Sequence, residues 1–189
     1  ADKVLAVKNL YGLESNARLR TPVFNVNGGG KIVRSTPGNL REWVQLVAEY
    51  YTAPDPKERW LDKVAFQFYV LTALENRETK RPEYTLFRGT VTYQDVDRNR
   101  RDAKWATLFL RPSVIPRYGD VAAIAVEVSA NDRPMDSRVE VDRKFQDILK
   151  NEKEWWKNPK LPVKDGYLLK AGETPFGNIG YDDYDEIAH

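Results

Sequence analysis

The sequence predicts a mainly β protein, specifically an immunoglobulin-like antiparallel β-sandwich with one C-terminal helix and an irregular C-terminal tail. Runs of alternating apolar and polar residues recur between residues 40 and 130. Loops rich in Pro, Arg and polar residues separate these runs at the spacing typical of a sandwich. Because no helical pattern lies between most of the runs, we expect neighbouring strands to pair antiparallel.

The alternation predicts five strands, each with one apolar face. Residues 40–51 also fit a helical stripe, but Val and Tyr favour strands and a Pro-rich turn follows at residues 52–56, so we prefer a strand there. The expected inward residues are Val44, Leu46, Ala48, Tyr50; Val64, Phe66, Phe68, Val70; Phe87, Val91, Tyr93; Ala106, Leu108, Leu110; and Ala122, Ile124, Val126, Val128.

We expect one domain overall, built from four consecutive parts. Residues 1–36 form lead-in strands, 37–134 the sandwich core, 135–158 a helix, and 159–189 an extended, aromatic-rich C-terminal segment. The helix is predicted because Ser137 and Glu140 have the spacing of a capping box. Val141, Phe145 and Leu149 then follow at helical spacing, and Pro159 should end the helix.

The composition argues against most catalytic and metal chemistry. The chain of 189 residues has no Cys, and its single His is the last residue, His189. Thiolate nucleophiles, Cys-based metal sites, histidine bases and catalytic triads therefore have no residues to carry them. We predict that the protein is not an enzyme, with no catalytic residue, no cofactor and no metal site.

The charge pattern argues against nucleic acid, and hydropathy argues against a membrane span. Thirty basic residues are interleaved with 28 acidic ones, so the net charge is only +2, whereas nucleic-acid binders carry a basic excess or stripe. No apolar run approaches the roughly 20 residues that an integral membrane segment needs. The chain begins Ala1-Asp2-Lys3, as cleavage of a signal peptide after a small residue would leave it.

Three local motifs favour ordinary loops. The glycine run before Lys31 lacks the spacing of a phosphate loop and predicts a hairpin turn. The residues from Asp95 to Asn99 begin like a calcium loop, but Arg100 stands where that loop needs Gly. The basic residues Arg98, Arg100, Arg101 and Lys104 lie among acids and predict a salt-bridged, solvated loop.

Carboxylates and tryptophans offer the remaining candidate sites. Glu127 and Asp62 come nearest to the carboxylate pair of a glycoside hydrolase, without a recognisable motif. Trp43, Trp60 and Trp105 are expected to fill the core or cover a sheet face rather than form a sugar-stacking platform.

Five aromatic residues near the C-terminus are the candidate partner-binding residues. Adjacent residues of a helix point about 100° apart, so one of Trp155 and Trp156 should stay near the surface. The irregular segment after Asn158 carries regularly spaced apolar anchors that could lie along another molecule. The predicted contact residues are Trp155, Trp156, Phe176, Tyr181 and Tyr184.

The C-terminal segment also carries a resemblance. Residues 172–176 (GETPF) and 181–184 (YDDY), with WLD at 60–62 and FQFYV at 66–70 upstream, resemble exported proteins of verrucomicrobial bacteria. The pattern is similar to immunoglobulin-like proteins of type IV pilus-associated gene clusters in mucin-degrading gut members of that group. This resemblance implies an exported β-sandwich, located in the periplasm or at the cell surface, that acts in pilus assembly or attachment.

Composition and resemblance together predict a non-enzymatic binding protein whose partners are proteins of the pilus or cell envelope. The partner could bind by adding a strand to a sheet edge or by contacting the aromatic tail, and the sequence does not favour either mode. The alternatives are a carbohydrate-binding module or adhesin, which requires an exposed coplanar row of aromatic rings, and a carboxylate-based glycoside hydrolase, which requires an acidic pocket.

Overall fold

The computed structural model describes residues 3–21 and 41–177, and 54% of these residues lie in strands. The protein is therefore mainly β, as predicted. The strands are β1 (Leu5–Tyr11), β2 (Arg18–Arg20), β3 (Glu42–Thr52), β4 (Trp60–Glu75), β5 (Pro82–Asp97), β6 (Lys104–Leu110), β7 (Asp120–Ala130), β8 (Arg133–Val141), β9 (Val163–Asp165) and β10 (Leu168–Leu169). The α-helices in the described ranges are short: α1 (Val114–Tyr118) and α2 (Gln146–Leu149).

The strands form two five-stranded sheets. Sheet A has the order β1-β3-β6-β10, with β2 also paired to β3, and sheet B has the order β8-β7-β4-β5-β9. Every pair is antiparallel except β5 with β9, which is parallel because the chain returns to β5 after a long excursion. The arrangement is sandwich-like, and the immunoglobulin-like assignment stays a prediction.

One hydrophobic core joins the two sheets. Leu46, Phe66 and Phe68 are fully buried in it, and each buried side chain of this size stabilises the fold by about 1.5–3 kcal/mol. The inward faces predicted for β3, β4, β5 and β6 are confirmed, and so are those of Ile124, Val126 and Val128 in β7. Period-two alternation located these strands because each has one face on the core.

The predicted helix over residues 135–158 is wrong. Residues 133–141 form β8, in which Val139 lies opposite Ala125 and Val141 opposite Ala123 of β7. Pairing along β7 satisfies the backbone of this segment and half-buries both valines, which outweighs the local capping signal. Short 3₁₀ turns and the four-residue helix α2 follow, so residues 142–161 form a loop that crosses the outer face of sheet B.

The loop between β5 and β6 is less solvated than predicted. Arg98 is 5% exposed: its Nε donates to the carbonyl oxygen of Ala53, and its guanidinium lies 3.5 Å from Asp55 and 3.3 Å from Glu58. Lys104 is 2% exposed, and its Nζ donates to Thr52 Oγ1 and to the carbonyl oxygen of Arg100. These two cations fix the end of the sandwich instead of facing solvent.

The flanking parts of the chain belong to the sheets. Within the predicted lead-in of residues 1–36, β1 is a full partner of β3, and the glycine hairpin lies outside the described residues. Within the predicted tail of residues 159–189, β9 extends sheet B and β10 extends sheet A. No helix in the described ranges is long and apolar enough to cross a membrane.

Candidate binding surface

The two tryptophans predicted to contact a partner are buried. Trp155 is 2% exposed and Trp156 is 6% exposed, both in the 3₁₀ turn that lies against Leu71 and Ala125 of sheet B. The expectation that one of them stays near the surface is wrong, because this segment is a turn and not a regular helix. Their rings meet edge to face, with centroids 5.4 Å apart, and both cover the sheet.

Phe176 is also an interior residue. It is 3% exposed, stacks on Phe109 with ring centroids 4.9 Å apart, and meets Trp43 edge-on at 5.9 Å. The described part of the C-terminal segment therefore packs on its own domain and covers one half of the outer face of sheet A. The two remaining predicted contacts, Tyr181 and Tyr184, lie outside the described residues.

Glu127 holds Trp156 in place. Its Oε1 accepts a 2.7 Å hydrogen bond from Trp156 Nε1. Nearby, the pKa of Tyr69 is raised to about 12, first by burial and then by the negative charge of Glu127 and a hydrogen bond to it, against the opposing effect of Arg88. Glu127 lies opposite Gln67 of β4. Asp62 precedes Gln67 by five residues in the same strand, which separates Asp62 from the position of Glu127 by roughly 17 Å along the strand. That is too far for the carboxylate pair of a glycoside hydrolase.

The other half of the outer face of sheet A carries an exposed aromatic cluster. Pairing of β1 with β3 and of β3 with β6 sets Asn9, Glu49 and Trp105 in one row across the sheet. Tyr11 lies one row further along, and Tyr51 follows Glu49 on the same face of β3. We call Asn9, Tyr11, Glu49, Tyr51 and Trp105 the Glu49 patch.

A bulge in β1 creates this arrangement. The register shifts between Val7 and Asn9, so Val7 faces the core while Asn9 and Tyr11 face outward. Trp105 faces outward because Ala106 and Leu108, its neighbours in β6, point into the core. The side chains at the two ends of the patch are accessible: Tyr11 is 38% exposed and Trp105 is 45% exposed.

Glu49 lies at the centre of the patch and is only 8% exposed. Its Oε2 accepts a 2.6 Å hydrogen bond from Asn9 Nδ2 and a longer one, 3.4 Å, from the Tyr11 hydroxyl. Its Oε1 accepts a 3.0 Å hydrogen bond from the Tyr51 hydroxyl. Three neutral donors on two strands thus hold the carboxylate in one position.

These contacts keep Glu49 ionised. The hydrogen bond from Asn9 lowers the pKa of Glu49, and this bond together with the one from Tyr51 and the charge of Lys8 outweighs the effect of burial. The hydrogen bond to Glu49 raises the pKa of Tyr51, and burial followed by the charge of Glu49 raises that of Tyr11. The carboxylate is the charged group here, and both hydroxyls remain neutral donors.

In the described part of the chain, no lysine or arginine nitrogen lies within 4.0 Å of Glu49. The ammonium of Lys8 lies nearby, 5.3 Å from the centroid of the Tyr51 ring. Glu49 is therefore a nearly buried anion with hydrogen-bond donors but no ion-pair partner among these residues.

Little in the local sequence pattern indicates this site. Trp105 is expected to fill the core or cover a sheet face, and it lies on the outer face of sheet A and is 45% exposed. Glu49 alternates with core residues in β3, which places it outward but does not identify its neighbours. Asn9 and Tyr11 reach Glu49 only because of the bulge in β1 and its pairing with β3, which lie about 40 residues apart in the chain.

Other surface features are less complete as sites. Trp60 is 47% exposed on β4 of sheet B, where the guanidinium of Arg59 lies 4.8 Å from its ring. A cavity of about 480 Å³ opens near Gly119 at one end of the sandwich, and a second of about 320 Å³ shares Ala73, Asp120 and Phe145 with it. Acidic and basic residues line both cavities, and in the second one Arg18 lies 3.7 Å from Asp120.

Comparison with known proteins shows a family and a fold. One protein-family model matches residues 12–189. No curated protein sequence matches the chain. A crystal structure of a protein from Akkermansia muciniphila, a verrucomicrobial bacterium, superposes with a TM-score of 0.69 at 22% identity, covering 98% of this chain and 92% of that one. The likeness shows a shared fold, and the family match extends over nearly the whole sequence, so the chain belongs to the family whose model spans residues 12–189.

Proposed function

We propose that this protein is a non-catalytic binding protein of the cell envelope that contacts other proteins through the Glu49 patch, in pilus or envelope assembly or attachment. The observation that carries the proposal is the patch itself: Tyr11 and Trp105 are exposed on an otherwise regular sheet face, beside a carboxylate held by three donors. Binding energy at protein interfaces concentrates in Trp, Tyr and Arg residues set around a preorganised centre.

The position of the patch supports binding over a purely structural role. The outer face of sheet B is covered by Trp155, Trp156 and the loop that carries them, and the far half of sheet A is covered by Phe176. In both places the chain uses its own aromatic residues to cover a sheet. The Glu49 patch carries aromatic residues of the same kind, and within the described residues none of those covering segments reaches it.

The envelope part of the proposal rests on a different observation. The ending of the chain, with GETPF at residues 172–176 and YDDY at 181–184, resembles exported proteins linked to type IV pilus clusters.

The chemistry available in the patch supports the non-catalytic part of the proposal. Its one carboxylate is held by three hydrogen bonds, and the pKa values of its two tyrosines are raised, which keeps their hydroxyls protonated and poorly nucleophilic. Retaining and inverting glycoside hydrolysis each need a second carboxylate facing the first. A surface of this kind can hold a ligand but offers no acid–base pair.

Carbohydrate binding is the second candidate, and one observation favours it. Trp105 exposes its ring beside Glu49, and Asn9 lies on the far side of Glu49 in the same row; both polar side chains could bind sugar hydroxyls. The coplanar row of rings that this function requires is not formed by the exposed tryptophans, because Trp105 belongs to sheet A and Trp60 to sheet B. We therefore place protein binding first.

Affinity capture from an envelope extract of the source organism tests the proposal. The baits are the intact chain, Trp105→Ala, Trp60→Ala as a matched exposed tryptophan on the other sheet, and a truncation after Gly177 that removes Tyr181 and Tyr184. We expect the intact chain and Trp60→Ala to retain the same envelope protein and Trp105→Ala to lose it.

Each other outcome points elsewhere. Equal capture by Trp105→Ala and the intact chain would exclude the Glu49 patch as the contact. Loss of the protein only with the truncated chain would assign the contact to the C-terminal residues. Retention of envelope glycans without protein by the intact chain, lost with Trp105→Ala, would favour the carbohydrate-binding candidate.

A further inference from the structure

We infer that the Glu49 patch receives a basic side chain, arginine or lysine, from the protein partner, and that Glu49 supplies its counter-charge. This inference rests on the proposed function and adds the chemistry of the ligand group. It is carried by the combination of a nearly buried, ionised carboxylate, the lack of an ion-pair partner for it among the described residues, and the exposed rings beside it.

The charge of Glu49 favours a cationic ligand group. Buried carboxylates in proteins are paired with a cation or bound to a metal, because an isolated charge out of water is costly. Glu49 is 8% exposed and ionised, yet its close partners are an amide and two hydroxyls. A positive group arriving at the patch would therefore find an unbalanced negative charge already fixed in position.

The carboxylate of Glu49 can accept more hydrogen bonds than it receives from the described residues. An ionised carboxylate has about four acceptor positions. Tyr51 uses one on Oε1, and Asn9 uses one on Oε2, while the Tyr11 hydroxyl contributes only the long 3.4 Å contact. Each oxygen can accept a further donor, and the weakly bound Tyr11 hydroxyl is the contact that a stronger donor displaces most easily.

The aromatic rings beside the carboxylate also favour a cation. A guanidinium or ammonium group is attracted to the face of Trp or Tyr within about 6 Å of the ring centroid. The patch already shows this interaction, since Lys8 lies 5.3 Å from the centre of the Tyr51 ring. Trp105 lies directly across from Glu49 in the sheet and has no such cation among the described residues.

Together these features define the ligand group. Its cationic end would donate to Glu49, and its stem or plane would lie on Trp105, with Tyr11 on the other side. Arginine suits this geometry particularly well, because its planar group stacks on aromatic rings while donating hydrogen bonds along its edge. We assign the occupant to a partner protein because Lys8, the described cation whose charge acts on Glu49, forms no ion pair with it.

The experiment uses short peptides as defined probes and the full chain labelled with ¹⁵N. The peptides are Gly-Gly-X-Gly-Gly with blocked ends, where X is arginine, lysine, citrulline or acetyl-lysine. Citrulline and acetyl-lysine keep the shape of the basic residues and remove the charge. The signals to follow are the Trp105 indole N–H and the Asn9 side-chain amide, read during titration at pH 7.

We expect the arginine peptide to shift both signals saturably and to bind about tenfold more tightly than the citrulline peptide. In Glu49→Gln the difference between the two peptides should disappear. Glu140→Gln, which removes an exposed carboxylate from β8, should behave like the unaltered chain. A thermal melt of each variant checks that it is folded.

Two results would overturn the inference. Equal binding of the charged and neutral peptides, or no shift of the two signals with any peptide, would show that the patch does not select a cation. The capture experiment separates this failure from failure of the proposed function. If capture needs Trp105 but is unchanged by Glu49→Gln, the patch binds protein without using its charge, whereas capture independent of Trp105 removes the proposed function itself.

Discussion

Trp156 donates a 2.7 Å hydrogen bond to Glu127, and this bond ties the loop over residues 142–161 to the outer face of sheet B. Trp155 lies beside it and is equally buried, but its Nε1 has no hydrogen-bond partner among the described residues. The adjacent tryptophans therefore form a matched pair that differs in one polar contact.

Replacing each tryptophan by phenylalanine should separate packing from hydrogen bonding. Both changes remove similar apolar volume, but only Trp156→Phe leaves Glu127 without its donor. We expect Trp156→Phe to lower the free energy of unfolding by about 1–3 kcal/mol more than Trp155→Phe. Urea denaturation followed by fluorescence of the remaining tryptophans measures the difference. Equal losses would show that the hydrogen bond contributes nothing to stability.

The Tyr69 hydroxyl should lose its proton at a higher pH than an exposed tyrosine does. Burial and the neighbouring charge of Glu127 raise its pKa from 10 to about 12, so the folded state holds its proton where the unfolded state releases it. The resulting stability is present below pH 10 and is lost as the pH rises toward 12. Glu127→Gln should lower the pKa, which an absorbance titration of tyrosinate compared with Tyr69→Phe would reveal. An unchanged pKa in Glu127→Gln would contradict the assigned cause.

Two glycines with positive φ should respond differently to substitution. Gly119 has φ +91°, and a Cβ there would lie 2.0 Å from the carbonyl oxygen of Ala73, whereas Gly166 has φ +83° with no atom within 4 Å of the added carbon. We expect Gly166→Ala to cost about 1 kcal/mol, from backbone strain alone. Gly119→Ala should cost several times as much, about 3 kcal/mol or more, because a backbone atom must also move. Thermal melts of both variants provide the comparison.

Asp136 joins the edges of the two sheets. Its Oδ2 accepts a 2.8 Å hydrogen bond from the backbone N–H of Val7 in β1, and its Oδ1 lies 2.9 Å from Lys3 Nζ. Burial tends to raise the pKa of Asp136, but the bonds from Lys3 and Val7 outweigh it and the pKa is lowered. Its contribution to stability is therefore present above the unfolded-state pKa and is lost as the pH falls through the lower folded-state pKa.

Asp136→Ala should lower the free energy of unfolding by about 1–3 kcal/mol at pH 7. The difference from the unaltered chain should begin to shrink below about pH 4, where Asp136 of the unfolded chain takes up its proton, and shrink further as the pH falls through the lower folded-state pKa. Glu140→Ala, on the same strand but paired only with Arg138 at 3.6 Å, should cost less than 1 kcal/mol. Urea titrations at pH 7 and pH 3 supply both values. A cost for Asp136→Ala that does not change with pH would contradict the role of its charge.

Sequence patterns predicted the parts of the fold that have one buried face. Phe66 and Phe68 in β4, and Leu46 in β3, alternate with outward residues, and burial alone fixes their strands. The same reasoning failed for β8, because Val141 fits a helical stripe with Phe145 and Leu149 but also alternates with Val139 as in a strand. Pairing with β7, which a turn separates from this segment in the chain, favours the strand over the helix.

The candidate site was less predictable than the fold for a related reason. Trp155 and Trp156 are predicted contact residues because adjacent helical residues point apart, and Phe176 because it lies in an irregular segment. Both segments instead fold back onto the sheets and bury these side chains. Asn9 and Tyr11 carry no local signal at all. Their contact with Glu49 depends on a one-residue bulge and on strand pairing across 40 residues, which alternation within a strand does not encode.

Site-specific photocrosslinking in the source organism tests the central claim most directly. A photoreactive phenylalanine analogue placed at Thr107, which lies beside the Glu49 patch on the outer face of β6, should form an adduct with an envelope protein. The same analogue at Lys63, exposed on sheet B, should not. An adduct at Lys63 with none at Thr107 would contradict the assignment of binding to the Glu49 patch.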